Sequence, residues 1–157
     1  MIKQTAQPRH RTRTERGFSL IELLIVVSVI LIISAIAIPN FIRSRMRANE
    51  AAAVANLRNI TTANVAYLTT YGIGYVDGLP KLGGNSVIVD ANAAGLIDEV
   101  LAAGHKSGYS YGYSVVIADA QGHVVGYALT AEPLNAGTTG ERYFYTDQTA
   151  TIRFNTT

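Results

Sequence analysis

The sequence predicts an α+β protein in which a long N-terminal helix, apolar at first and amphipathic afterwards, packs on a C-terminal four-stranded antiparallel sheet. Three observations carry that expectation. From Phe18 to Ile38 the chain is almost wholly apolar, from Ala48 to Tyr71 apolar residues recur every three or four positions, and beyond Tyr109 the period changes to two. They divide the 157 residues into 1–17 as a leader, 18–38 as a membrane-type helix, 39–71 as its amphipathic continuation, 72–106 as a connecting loop with a short helix, and 107–157 as the sheet region.

The leader holds Lys3, Arg9, Arg11, Arg13 and Arg16 against Glu15, a net of +4, so a chain of formal charge +2 carries −2 on the remainder. The basic balance belongs to the leader, and nucleic-acid binding is not indicated for the body. The chain has no cysteine, which excludes disulfide scaffolds, thiol catalysis, Cys-based zinc sites, iron–sulfur clusters and covalent haem attachment.

The stretch from Phe18 to Ile38 would make roughly 30 Å of helix, about the thickness of a bilayer's hydrocarbon core. A soluble core helix would show a polar face, yet after Glu22 only Ser28 and Ser34 interrupt the run. The run is longer than a signal-peptide core, and Pro39-Asn-Phe-Ile-Arg follows it in place of a small-x-small cleavage site. Arg43, Arg45 and Arg47 nearly balance the leader, so charge alone leaves the orientation open.

Glu22 is the anomaly in this segment. An acid inside a membrane span costs on the order of 2.5–3.5 kcal/mol and is by default functional. Cleavage between Gly17 and Phe18 would create an ammonium one helical turn from Glu22, on the same face. An acid in the first turn also suits the helix dipole.

Arg16-Gly17-Phe18-Ser19-Leu20-Ile21-Glu22, followed by an unbroken apolar run, resembles the processing site of type IV pilins and pseudopilins. The resemblance implies cleavage after Gly17 by a prepilin peptidase on the cytoplasmic side and N-methylation of Phe18 by the same enzyme. It implies an assembly role for Glu22, matches Pro39 to the proline at which the family's helix bends or loosens, and sets the leader in the cytoplasm with the C-terminus outside. Residues 18–38 would then anchor the chain in the inner membrane and later form the filament core.

After Pro39, the alanines between Ala48 and Ala55 supply helix propensity, and Val54, Leu57, Thr61, Val65, Leu68 and Tyr71 form the expected apolar stripe. Gly72 suits the left-handed residue that ends a helix. Ala94 to Gly104 reads as one short helix. Tyr109, Tyr111, Tyr113, Val115 and Ile117 alternate with small or polar residues, and the turn Asp119–Gly122 leads to a strand through Val125, Tyr127 and Leu129. Thr130 to Gly140 reads as a loop. Arg142–Thr146 and Thr151–Phe154 form a second hairpin around Asp147-Gln148-Thr149. The stretch from Thr130 to Thr149 also resembles the C-terminal sheet of bacterial pilins, although Ala150 stands where glycine is expected.

Catalytic chemistry finds no support in the residues, and the chain reads as a non-enzyme without cofactor or metal. His10 lies in the leader, His105 and His123 sit beside glycines in expected turns, and Leu82-Gly-Gly-Asn-Ser lacks the Gly-Lys-Ser/Thr ending of a phosphate loop. Tyr109, Tyr111 and Tyr113, with Tyr143, Phe144 and Tyr145, read as cross-strand packing whose hydroxyls reach the surface. The successive odd positions Arg43, Arg45 and Arg47 spread around a helix. They are expected to meet lipid headgroups before assembly and acidic neighbours, such as Glu50 of another subunit, afterwards.

The sequence therefore leads to a structural subunit of a type IV pilus, held in the inner membrane before assembly and displayed at the cell surface afterwards. By the resemblance its partners are other copies of the chain, the prepilin peptidase, the inner-membrane platform and ATPase, and an outer-membrane channel. A type II secretion pseudopilin is the alternative within the family, although the scattered acids Asp119, Glu132, Glu141 and Asp147 do not suggest a calcium loop. A membrane-anchored periplasmic binding or enzymatic domain that keeps its leader is the alternative from another class.

Overall fold

A computed structural model of the chain describes residues 17–84 and 89–156. The expected leader residues before Gly17, His10 included, and Asn85 and Ser86 of the expected glycine turn lie outside the described residues. Helix α1 spans Leu20–Tyr71 and contains Pro39. The chain divides into two compact units, one ending at Ile38 and the other comprising Pro39–Thr157.

In the first unit α1 is apolar except at Glu22, Ser28 and Ser34. The second unit packs the rest of α1 against a five-stranded antiparallel meander of order β1-β2-β3-β4-β5. Its strands are β1 His105–Lys106, β2 Tyr109–Ala118, β3 Val124–Pro133, β4 Arg142–Asp147 and β5 Arg153–Thr156. The α+β layout agrees with the sequence, but the strand number does not. The strand missed is the two-residue β1, whose length shows no alternation. It is made by the turn at Ser107 and Gly108, with φ of 53° and 75°, which sets Lys106 opposite Tyr109. His105 thus lies in a strand, not a turn.

Two further boundaries move. β3 runs on to Pro133 where a loop was expected from Thr130, because Thr130 and Glu132 pair with Gly112 and Ser110. The expected helix from Ala94 to Gly104 shrinks to α3, Glu99–Ala102, capped by Asp98 Oδ1, which accepts from the Leu101 N–H at 3.1 Å. Residues 94–97 send their N–H groups instead to the carbonyls of Lys81, Leu82 and Gly83, beside the one-turn helix α2, Leu79–Leu82. That cross-chain bonding and the left-handed Gly95, φ 61°, prevent a continuous helix. Gly72, φ 66°, closes α1 by donating to the Leu68 carbonyl at 3.0 Å, as its sequence position suggests.

The core lies between α1 and the sheet. Ala53, Leu57, Ile60 and Tyr67 meet Tyr109, Tyr111, Tyr127, Leu129, Ala131 and Phe144, with Val76, Leu79, Leu82 and Leu101 closing one side. Burying each large aliphatic chain contributes about 1.5–3 kcal/mol. The buried stripe is offset from the expected one. Val65 is exposed, whereas Asn56 and Asn64 are buried. β2 offers tyrosines to the Asn56 amide and to the Asn64 carbonyl, while Asn64 Nδ2 is buried without a hydrogen-bond partner among the described residues. Asn56 donates to the Tyr111 hydroxyl at 2.8 Å, and Asn64 Oδ1 accepts from the Val76 N–H at 3.4 Å and faces the Tyr113 hydroxyl at 3.3 Å.

The hydroxyls of Tyr109, Tyr111 and Tyr113 therefore turn inward, contrary to the surface placement expected. Tyr109 donates to the Arg142 carbonyl at 2.9 Å and Tyr113 to the Val76 carbonyl at 2.7 Å. Burial pushes the Tyr109 pKa up to about 12 and raises those of Tyr111, Tyr113 and Tyr127 as well. The Tyr113 and Tyr127 rings stack 5.4 Å apart. Farther along β2 a register shift beyond Val115 breaks the alternation, and Val115, Val116 and Ile117 are exposed.

Candidate functional site

Gly17, Phe18 and Ser19 are the non-helical approach to α1. The helix begins where the Ser19 carbonyl accepts the Leu23 N–H at 3.2 Å. Phe18 is 75% exposed. A methyl group added at Gly17 would meet no atom of the described residues within 4 Å. Packing within the described residues therefore does not require glycine at this position. Glu22 lies in the first turn of α1, exposed and with no ion pair among the described residues. Its charge favours the free N–H groups of that turn.

From Leu20 to Ile38 the apolar side chains stand outward, with Leu20 at 82% exposure and Val27, the most covered of the large ones, at 46%. The most apolar stretch of α1 has a mean hydropathy of 3.0 with none of it buried, which by length and composition is enough to cross a membrane. Ser28 removes its own polarity by donating to the Leu24 carbonyl at 2.8 Å. An apolar surface of this extent needs a non-aqueous neighbour.

Pro39 is the first residue of the second unit and stays within the helical run. Having no N–H, it leaves the Ala35 carbonyl without its usual partner one turn earlier. Gly17, Phe18 and Glu22 are thus gathered at one end of α1, while Pro39 stands apart.

Other expectations resolve into local structure. Glu50, expected to serve another subunit, is engaged within its own chain. Its Oε1 accepts the Glu141 and Arg142 N–H groups at 3.0 and 3.3 Å, and Oε2 faces Arg142 Nε at 3.7 Å. The sequence held no signal for this contact between residues so far apart in the chain. His123 pairs with Asp119 at 3.1 Å across the β2–β3 turn. Desolvation raises the Asp119 pKa, but hydrogen bonds from His123 and Gln121 outweigh it and lower the value overall. Among the described residues no three His, Asp or Glu side chains gather in a way that could hold a metal ion.

Residues 12–38 match the prokaryotic N-terminal methylation motif. The N-terminal region is also similar to two curated proteins. It is 48% identical over 54 residues to the type IV major pilin protein PilA of Myxococcus xanthus, covering 34% of this chain and 24% of that protein. It is 47% identical over 47 residues to the type IV wide pilus major component PilA4 of Thermus thermophilus, covering 30% of this chain and 36% of that one. The chain thus spans about a quarter to a third of the length of these relatives. No solved structure matches it significantly. Over its N-terminal third the chain thus carries the methylation motif and is similar to type IV major pilins.

Proposed function

We propose that this chain is the structural subunit of a type IV pilus, cleaved after Gly17, N-methylated at Phe18 and assembled into a helical filament. The observation that carries the reading is a methylation motif that runs into an apolar helix whose large apolar side chains are exposed from Leu20 to Ile38. Such a helix has two acceptable surroundings, lipid tails before assembly and the helices of other copies afterwards. Transfer between them costs little because both are apolar. A head-to-tail contact repeated by one rotation that does not close gives a fibre.

Gly17 fits the same reading. Among the described residues nothing packs against Gly17, which suits a backbone that a peptidase must approach, since a peptidase needs open access to the bond it cuts. Removal of the leader places the Phe18 ammonium near Glu22, and in the filament Glu22 of one copy meets the Phe18 ammonium of its neighbour. An unmatched charge there would be costly in a dry core, so the pair sets axial register. The peptidase, the platform and ATPase, and an outer-membrane channel are the partners that this life cycle requires.

Intact-mass measurement of the chain from cells that express the pilus machinery tests the proposal. A product beginning at N-methyl-Phe18 and recovered in sheared surface filaments is the expected result. A product beginning at Met1 and confined to the membrane overturns it in favour of an anchored domain.

A further inference from the structure

Arg43, Arg45 and Arg47 read in sequence as charges spread around a helix. The fold separates them. Arg43 and Arg47 are one turn apart on α1 and both line a cleft of about 420 Å³ whose opposite wall is Arg142 of β4. Arg45 is not part of the cleft lining. The acids nearby are Glu50 and Glu141. Glu50 is saturated by two backbone N–H groups and by Arg142, and only 14% of its side chain is exposed. Among the described residues no carboxylate pairs with Arg43 or Arg47. The Arg142 guanidinium carbon also lies over the Phe154 ring, 4.9 Å from its centre.

We infer that this cleft is an oxyanion site for a phosphate group, with Arg43 and Arg47 as its binding residues and Arg142 as its third cationic wall. Three guanidiniums against two carboxylates leave the cleft positive, and guanidiniums match tetrahedral phosphate oxygens through paired N–H donors. The phosphate is that of an anionic lipid headgroup. Arg43 and Arg47 follow the apolar segment closely in the sequence, where a chain leaving the hydrocarbon meets headgroup phosphates. The lipid source rests on the reading of residues 18–38 as a membrane span, whereas the phosphate chemistry rests on the cleft alone. Bound lipid would hold the subunit in the bilayer until assembly replaces it.

The test uses the full chain in nanodiscs of phosphatidylcholine with a minor fraction of phosphatidylglycerol, extracted into nonionic detergent, with retained lipid counted by native mass spectrometry. Arg47→Gln and Arg45→Gln have equal net charge, so they separate a built site from diffuse attraction. Arg47→Gln and Arg43→Gln are expected to reduce phosphatidylglycerol retention roughly tenfold, and Arg45→Gln to leave it unchanged. Equal retention by all variants, or equal loss in Arg45→Gln, overturns the site.

Inorganic phosphate added to the detergent-solubilised chain distinguishes the sources. Displacement of lipid shows that the cleft takes free phosphate as well, and retention shows that it prefers the headgroup. If the chain fails to enter nanodiscs, the membrane reading fails by itself. Phosphate-induced shifts of the guanidinium NMR signals in detergent then decide the cleft, and their absence overturns it.

Discussion

Asn56 donates its side-chain amide to the Tyr111 hydroxyl at 2.8 Å, across the boundary between α1 and β2. Both residues are buried, so neither has water to fall back on. Tyr111→Phe strands the Asn56 amide, and Asn56→Leu strands the hydroxyl. Each single change is expected to destabilise the chain by about 1–3 kcal/mol, and the double variant by less than their sum. Chemical denaturation of the four proteins in detergent measures the coupling, and strict additivity would remove the pair as a locking contact.

The inward tyrosines make the fold sensitive to alkali. A pKa raised in the folded state means that the unfolded chain loses its phenolic proton first, so the stabilising contribution is complete below about pH 10, the ordinary tyrosine range. It is lost as the pH climbs from there through about 12, the value reached by Tyr109. Melting temperature is expected to fall steeply across that window, and Tyr109→Phe should flatten part of the slope. An unchanged slope in Tyr109→Phe would assign the alkaline loss to other groups.

Ala150 ends the β4–β5 turn with a φ of 61°, a conformation that suits glycine. It is held there because its N–H donates to the Asp147 carbonyl at 3.0 Å, while Asp147 Oδ1 accepts the Thr149 N–H at 2.8 Å. Ala150→Gly relieves the strain but loosens the unfolded chain, so a net gain of up to about 1 kcal/mol is expected. A melting curve checks the sign, and a lower melting temperature would place the turn in a different conformation.

Glu22→Ala removes the acid from the first turn of α1 and leaves the apolar surface behind it intact. Membrane insertion and removal of the leader are expected to continue, while the filament yield falls. Quantifying sheared filaments against total mature chain separates these steps. Normal yield would show that register is set without Glu22.

Much of this was written in local chemistry. The apolar run, the motif around Gly17 and Phe18, Gly72 at the helix end and the period-two pattern from Tyr109 are each visible within a few neighbouring residues. The 94–104 segment was misread because its apolar spacing is helical while its N–H groups find carbonyls on residues 81–83. The stripe on α1 was misplaced because Asn56 and Asn64 look like surface residues until β2 supplies their tyrosines. β1 was missed because two residues carry no period.

The apolar helix, the methylation motif and the antiparallel order of the later strands are all legible before folding, because periodicity, composition and turn residues act over short spans. That Glu50 serves its own Arg142, that the tyrosine hydroxyls face the core, and that Arg43 and Arg47 share a cleft from which Arg45 is excluded emerge only once distant elements pack together. Those outcomes depend on which distant side chains arrive at the same place. A polar group's partner is chosen by packing between elements, and that choice has no signature within either element alone.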